Sequence, residues 1–230
     1  MTDRPTAAML YAAGFGTRMG VLTKDQPKPL VEVAGKPLME HALALIEDAG
    51  IACKVVNAHY KAQMVVDYFT DRDVAVSVEE PDILDTGGGL RHALPLLGDG
   101  PVATLNTDAI WTGPNPIRTL MNAWDPDRMD GLLILVPLAN AAGHAGKGDF
   151  VADTAGRLTR GKGAYIYGGA TIMKTEGLHE ISEAVFSNNL YWDRMIAQGR
   201  LFGAVHDGGW CDVGRPEGIP LAEELLGQKA

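Results

Sequence analysis

Three stretches of this 230-residue sequence carry side chains whose type and spacing suit phosphate chemistry. The first is Ala12-Ala13-Gly14-Phe15-Gly16-Thr17-Arg18-Met19, where small residues let the backbone approach an anion and turn its N–H groups toward it. It is not a dinucleotide fingerprint, because Met19 holds the third glycine position and Gly20 lies one residue too late. It is not a P-loop either, since no Gly-Lys-Ser/Thr follows at the required gap. By itself the loop also fits an ordinary glycine turn. Arg18 inside it and Lys28 ten residues on add cations, and the prolines flanking Lys28 predict a stiff, extended segment, whereas Lys24 reads as a solvated surface lysine. The second stretch is Asn106-Thr107-Asp108, which places a carboxylate just after an apolar run, where it serves either a ligand or a cap. The third is Gly143 to Phe150, in which His144 and Lys147 stand among glycines as a mobile cationic edge or as a plain solvated hairpin.

Such residues need a frame, and the first half of the chain alternates strand-length apolar runs with segments of helical period, which predicts a parallel α/β sheet. Strands are expected at residues 7–11, 54–57, 74–78 and 102–106, with helices over 38–49 (closed by Gly50), 63–69 and 90–97, and another following the glycine loop. In open sheets of this kind ligands collect beyond the C-terminal strand edges, so Gly14 and Asp108 should face one cleft. Beyond residue 112 the pattern is mixed, with strands expected at 132–136, 165–173 and 201–205 and helices at 190–197 and 216–226. Tyr191, Trp192 and Met195 fall at helical spacing and read as core. No internal repeat or low-complexity tract is visible.

Composition narrows the class. With 20 Lys and Arg against 29 Asp and Glu the formal charge is −9, a field that repels nucleic acid and requires phosphate-binding cations to be concentrated locally. A hydrophobic fraction of 46% with 21% charged residues is that of a globular chain, and the length suits one domain. Cys53 and Cys211 form neither a disulfide framework nor a zinc spacing, which fits the cytoplasm. The run Ala7–Ala13, preceded only by Arg4, is too short to span a bilayer and poor as a signal peptide, so no membrane partner is expected.

The run Gly14-Phe15-Gly16-Thr17-Arg18-Met19, then Leu22-Thr23 and Pro27-Lys28-Pro29-Leu30, strongly resembles the signature of sugar-1-phosphate nucleotidylyltransferases. The likeness continues through Asp85-Thr86-Gly87-Gly88-Gly89, Asn106-Thr107-Asp108, Gly143 to Phe150 and Trp210-Cys211-Asp212-Val213-Gly214, in the family's order. Within the family, the triple glycine and the Gly-His-x-Gly-Lys-Gly-Asp-Phe loop are most similar to the N-acetylmuramate-1-phosphate uridylyltransferases of cell-wall recycling. The resemblance implies a Rossmann-like, mostly parallel but mixed sheet flanked by helices, with residues 1–110 as the nucleotide-binding half and 111–230 as the sugar-binding half of a single domain.

It also implies transfer of a nucleotidyl group, in the first instance from UTP to N-acetylmuramate 1-phosphate, with release of pyrophosphate. Asp108 and Asp212 would hold Mg2+, while Arg18 would grip the triphosphate and Lys28 neutralise the reacting phosphates. Ala12, Ala13, Gly14, Gly16, Thr17 and a Gly87-Gly88 turn would receive the nucleotide, with Gly89 structural. Asn106, His144, Lys147, Asp149 and Gly169 would meet the sugar, the 143–150 loop closing over an acidic substituent such as a lactyl carboxylate. Cys211 reads as packing, since no histidine pairs with it locally and the chemistry has no covalent intermediate.

Three departures stand out: Gly20-Val21 where many members carry a proline, Asp85 for a frequent glutamate, and Thr107 for a glycine, which crowds the backbone beside Asp108. Guanylyl transfer to mannose 1-phosphate, thymidylyl transfer to glucose 1-phosphate and cytidylyl transfer remain alternatives. So does a catalytically silent nucleotide-sugar sensor, which would lose a metal carboxylate or Lys28. Oligomeric state is not legible.

Overall fold

The structure, a computed structural model, describes residues 4–144 and 146–227. Its first strand, β1 (Ala7–Tyr11), is apolar at each position because both faces of the sheet are covered there. A short hairpin, β2 (Glu32–Val33) and β3 (Lys36–Pro37), leads to α1 (Leu38–Asp48), β4 (Cys53–Ala58), α2 (Ala62–Tyr68), β5 (Ala75–Val78), α3 (Asp85–Leu97) and β6 (Val102–Asn106). Then come β7 (Ala109–Trp111), α4 (Pro116–Ala123), β8 (Gly131–Pro137), β9 (Ala141–Ala142), β10 (Phe150–Ala152), β11 (Leu158–Arg160) and β12 (Tyr165–Met173). The chain closes with α5 (Asn188–Ala197), β13 (Leu201–Val205), β14 (Trp210–Asp212) and α6 (Gly218–Gly227).

The main sheet runs β5-β4-β1-β6-β12-β8-β13, with β1, β4, β5 and β6 mutually parallel and β12 antiparallel to both β6 and β8. The β10–β11 hairpin hangs on the start of β12 through the pair Phe150 and Tyr165. The pairing of β12 with β8 shifts register between Tyr167 and Thr171, the stretch that holds Gly168 and Gly169. Helices α1, α2 and α4 cover one face with Met39, Leu43, Ile46, Val65 and Ile117, while α3 and α5 cover the other with Leu90, Ala93, Trp192 and Met195. Each fully buried Leu or Ile of this kind stabilises the fold by about 2 kcal/mol. A third cluster of Met19, Val31, Leu38, Ile110, Cys211 and Val213 ties the small sheet β7-β14-β9 and α6 to the segment after the glycine loop.

The expected strands and helices form, with four differences. After the glycine loop there is no α-helix but 3-10 turns over Thr17–Thr23, broken at Gly20 with φ 59°. Lys28–Leu30 is a 3-10 turn rather than an extended segment, although Pro27 before it is extended. The last helix starts at Gly218, two residues after Pro216. Finally, α3 begins at Asp85, so the three glycines are helical. Glycine's poor helix propensity hides this, and close packing overrides it. A Cβ at Gly87 would sit 2.4 Å from the Phe186 ring, one at Gly88 2.6 Å from the Ala184 carbonyl, and one at Gly89 2.4 Å from Glu79 Oε1. Among the described residues no helix is long and apolar enough to cross a membrane.

Candidate active site

The C-terminal edges of the parallel strands open onto a cleft with two adjoining hollows. The first, of about 450 Å³, is lined by residues 11–18, Lys28, Asn57, Glu79, Asp85, Thr86 and Asn106 to Asp108. Gly14 faces open space, since a Cβ there would meet nothing within 4 Å. Gly16 is required by its backbone: φ is +62°, and a Cβ would lie 2.9 Å from that of Lys28. Its carbonyl accepts the Thr23 hydroxyl at 3.0 Å, which folds the loop back over the 3-10 turns. The Ala12 N–H is not free for a nucleotide, because it donates to Asn57 Oδ1 at 2.7 Å. Asn57 Nδ2 in turn donates to Glu79 Oε1 at 2.6 Å, and the Leu84 N–H to Glu79 Oε2 at 2.7 Å. This chain of bonds links the tips of β1, β4 and β5, and it runs through a Glu79 fully shielded from solvent.

Asp108 and Asp212, 104 positions apart, converge because β7 pairs antiparallel with β14 in a register that sets Asp212 opposite Ala109. The Val213 N–H donates to the Asp108 carbonyl at 2.8 Å and closes the pair. Lys28 Nζ lies 2.7 Å from Asp108 Oδ2. Burial, followed by the nearby Asp108 charge, raises the Asp212 carboxyl above the usual range, against the pull of Lys28 and Arg18. Two carboxylates and two cations therefore share one electrostatic neighbourhood. Gly214 leaves room for it, since a Cβ there would stand 2.9 Å from Asp212 Oδ1. Thr107 does not disrupt the turn, because its hydroxyl donates to the Tyr11 carbonyl at 2.7 Å and pins β6 to β1. Among the described residues no set of three or more His, Cys, Asp or Glu gathers around one point. The hard oxygens of two adjacent carboxylates fit a magnesium ion that completes its shell with phosphate oxygens and water.

The second hollow, of about 640 Å³, shares Tyr11, Asp85, Thr86 and Asn106 with the first and adds Gly148, Asp149, Phe150, Arg160, Lys162, Tyr167 and residues of α5. Asn106 and Asp149 both line this hollow, and Asp149 Oδ2 accepts the Tyr167 N–H at 3.0 Å. Gly169 supports Asn106 from behind, where a Cβ would crowd its side chain at 3.0 Å. His144 and Lys147 line neither hollow. The His144 ring is set edge-on to Trp210 at 6.2 Å, and its Nε2 is buried; Ala145 beside it lies outside the described residues. Gly87 and Gly88 do not form a nucleotide-receiving turn, because both N–H groups donate to the Phe186 carbonyl, at 2.9 and 3.0 Å.

Sequence reasoning missed Asn57 and Glu79, although Asn57 lies at the C-terminal end of β4 and Glu79 directly follows β5, at the edge where Gly14 and Asp108 were sought. Tyr11, Asp85, Thr86, Arg160, Lys162 and Asn188 were also missed as site residues. Tyr11 is the hinge between the hollows: burial drives its hydroxyl well above the ordinary phenol range, and that oxygen accepts from Asn188 Nδ2 at 2.8 Å. The Cys211 thiol, pushed up to about 11 by burial and by Asp212, is a packing group.

Residues 8–171 match the MobA-like NTP transferase domain. The chain is 38% identical to the N-acetylmuramate alpha-1-phosphate uridylyltransferase of Caulobacter vibrioides, over 99% of this chain and 100% of that protein. It is 32% identical to the enzyme of the same name from Neisseria meningitidis, over 96% of this chain and 98% of that one. Among solved structures, HddC from Yersinia pseudotuberculosis in complex with GMP-PN superposes with a TM-score of 0.77 at 21% identity, over 96% of this chain and 99% of that one.

Proposed function

The chain belongs to the MobA-like NTP transferase family, as a sugar-1-phosphate nucleotidyltransferase, and from that premise we propose that it joins UTP to N-acetylmuramate 1-phosphate, releasing pyrophosphate. The observation that carries the chemistry is Lys28 in contact with Asp108, beside Asp212 and in the same hollow as Gly14. The substrates rest on the two full-length relatives named for that reaction.

An oxygen of the sugar phosphate forms a bond to the α-phosphorus, and the bond from that phosphorus to the α–β bridging oxygen breaks, its electrons leaving with pyrophosphate. The attacking dianion is already ionised near neutral pH, so no general base is needed. The chain's task is alignment and charge neutralisation. The glycine loop holds the triphosphate, with Arg18 on the departing pyrophosphate; Gly16 and Thr17 shape that loop. Lys28 supplies charge at the reacting phosphates. Asp108 and Asp212 would hold Mg2+, which when bound adds positive charge between the two polyanions. Residues 1–110 furnish most of the nucleotide hollow, whereas the sugar hollow draws on both halves. The free thiols of Cys53 and Cys211 support a cytoplasmic location.

A second reading is guanylyl transfer, favoured by the guanine nucleotide named in the HddC complex. Pyrophosphate release should be measured for four nucleoside triphosphates against N-acetylmuramate, mannose and glucose 1-phosphates, with and without a chelator. The expected outcome is the highest kcat/KM for UTP with N-acetylmuramate 1-phosphate, abolished by chelation. A higher value for GTP with mannose 1-phosphate replaces the first reading by the second.

A further inference from the structure

Resting on the acceptor reading above, we infer that Arg160 recognises the carboxylate of an acidic sugar 1-phosphate and sets the preference for it over the neutral analogue.

Arg160 ends β11 and lines the second hollow. Its guanidinium stacks over the Phe150 ring, 4.7 Å from the centroid, and stands 6.0 Å from that of Trp192. Nε donates to Asp193 Oδ1 at 2.9 Å and Nη2 to Asn189 Oδ1 at 2.8 Å, both on α5. A long side chain is thereby held in one geometry before any ligand arrives, which removes much of the entropy cost of binding. Nη1 has no hydrogen-bond partner among the described residues, and the side chain is 39% exposed, so the fork offers an open donor at the rim. Lys162, two residues on, lines the same hollow and makes no ion pair among the described residues.

The hollow is not a general anion trap. Asp85 and Asp149 line it as well, so its ionic side chains nearly balance. Asp149 turns one oxygen to the Tyr167 N–H, and Asp85 binds the N–H and hydroxyl of Thr86 through Oδ1. Selection for an acid therefore depends on where a carboxylate meets the Arg160 corner rather than on the summed field. N-acetylmuramate 1-phosphate carries such a carboxylate on its lactyl ether, and N-acetylglucosamine 1-phosphate is the same sugar without it. Arg160 takes this role in place of His144 and Lys147, which line neither hollow.

Arg160 also braces the β10–β11 hairpin against α5, and a purely structural role would affect both acceptors alike. The test is kcat and KM for these two acceptors in wild type, Arg160→Gln, Arg160→Lys and Lys147→Ala, each checked by thermal melting. Arg160→Gln should raise KM for the lactyl sugar by about 10- to 100-fold, the equivalent of one charge-assisted hydrogen bond, and move that for the neutral sugar less than about threefold. Arg160→Lys should lose part of the discrimination while keeping the fold, and Lys147→Ala should lose none. Equal losses on both acceptors, no loss in Arg160→Gln, or discrimination lost in Lys147→Ala overturns the assignment. If wild type itself fails to use the lactyl sugar, the acceptor reading falls and this inference with it, an outcome read from the wild-type measurements alone.

Discussion

The two hollows are built from different materials. The first hollow, proposed for the nucleotide, is built on backbone: β1 runs into a glycine loop, Asn57, held by Glu79, fixes Ala12, and Lys28 is delivered by a tight turn. The second hollow, proposed for the acceptor, is built of side chains gathered in large part from β10, β11, β12 and α5, with Arg160 tied to Asn189 and Asp193 about thirty positions away. A triphosphate is much the same in every nucleotide, so on the proposed reading a glycine loop with fixed cations would serve it. A sugar differs from its relatives by substituents, and only side chains can be exchanged to read those. The contrast predicts that lesions at the first hollow damage turnover with any acceptor, whereas those at the second alter the choice among acceptors.

The sharpest way to break this contrast is Asp108→Asn or Asp212→Asn. Either should lower kcat by about a thousandfold for all acceptors while circular dichroism stays unchanged, since each removes charge from the reacting point rather than from the core. Near-normal turnover in a folded variant would remove the carboxylates from the mechanism. Lys28→Ala should cost about a hundredfold in kcat, again without regard to the acceptor. A loss confined to one sugar would move Lys28 to the second hollow.

A finer test sets two glycines against each other. Gly14→Ala adds a methyl group into open space, so the melting temperature should hold while kcat/KM for the nucleotide falls about tenfold. Gly89→Ala adds one 2.4 Å from Glu79 Oε1 and should destabilise the fold by about 2 kcal/mol. The opposite pattern in the melts would reverse their roles.

The smallest effect is expected far from both hollows. Burial pushes the Asp130 carboxyl up, but hydrogen bonds from Arg200 and Lys174 outweigh it and leave the group below its ordinary range. A lowered folded-state pKa contributes stability above the unfolded value and loses it as pH falls through the folded one. Asp130→Asn should therefore destabilise by about 1 kcal/mol near neutrality, with the difference from wild type shrinking below the usual carboxylate range. Denaturant melts at several pH values with unchanged kcat check this, and a difference that persists in acid would point to packing instead.

The strands of the parallel half were legible because burial on both faces leaves a run of apolar residues, unbroken in Ala7–Leu10 and interrupted only by the buried Thr104 in Val102–Leu105. Lys28 was singled out by its prolines, although the turn it occupies was not foreseen. The Gly87 to Gly89 helix escaped notice because its cause is Phe186, Ala184 and Glu79, none of them a local neighbour of all three glycines. Trp192 was read as core and is buried; that it also lines the second hollow depends on the β10–β11 hairpin folding against α5.

By itself the sequence determined the sheet, the glycine loop and the residue types for phosphate chemistry, because hydrophobic period and backbone freedom act over a few residues at a time. The tertiary structure alone decided that Asp108 meets Asp212 through the β7–β14 register, that Asn57, held by Glu79, takes up the Ala12 N–H, and that Arg160 rather than Lys147 lines the second hollow. Those outcomes are distances between residues remote in the chain, and they are set when strands pair and helices pack across the sheet.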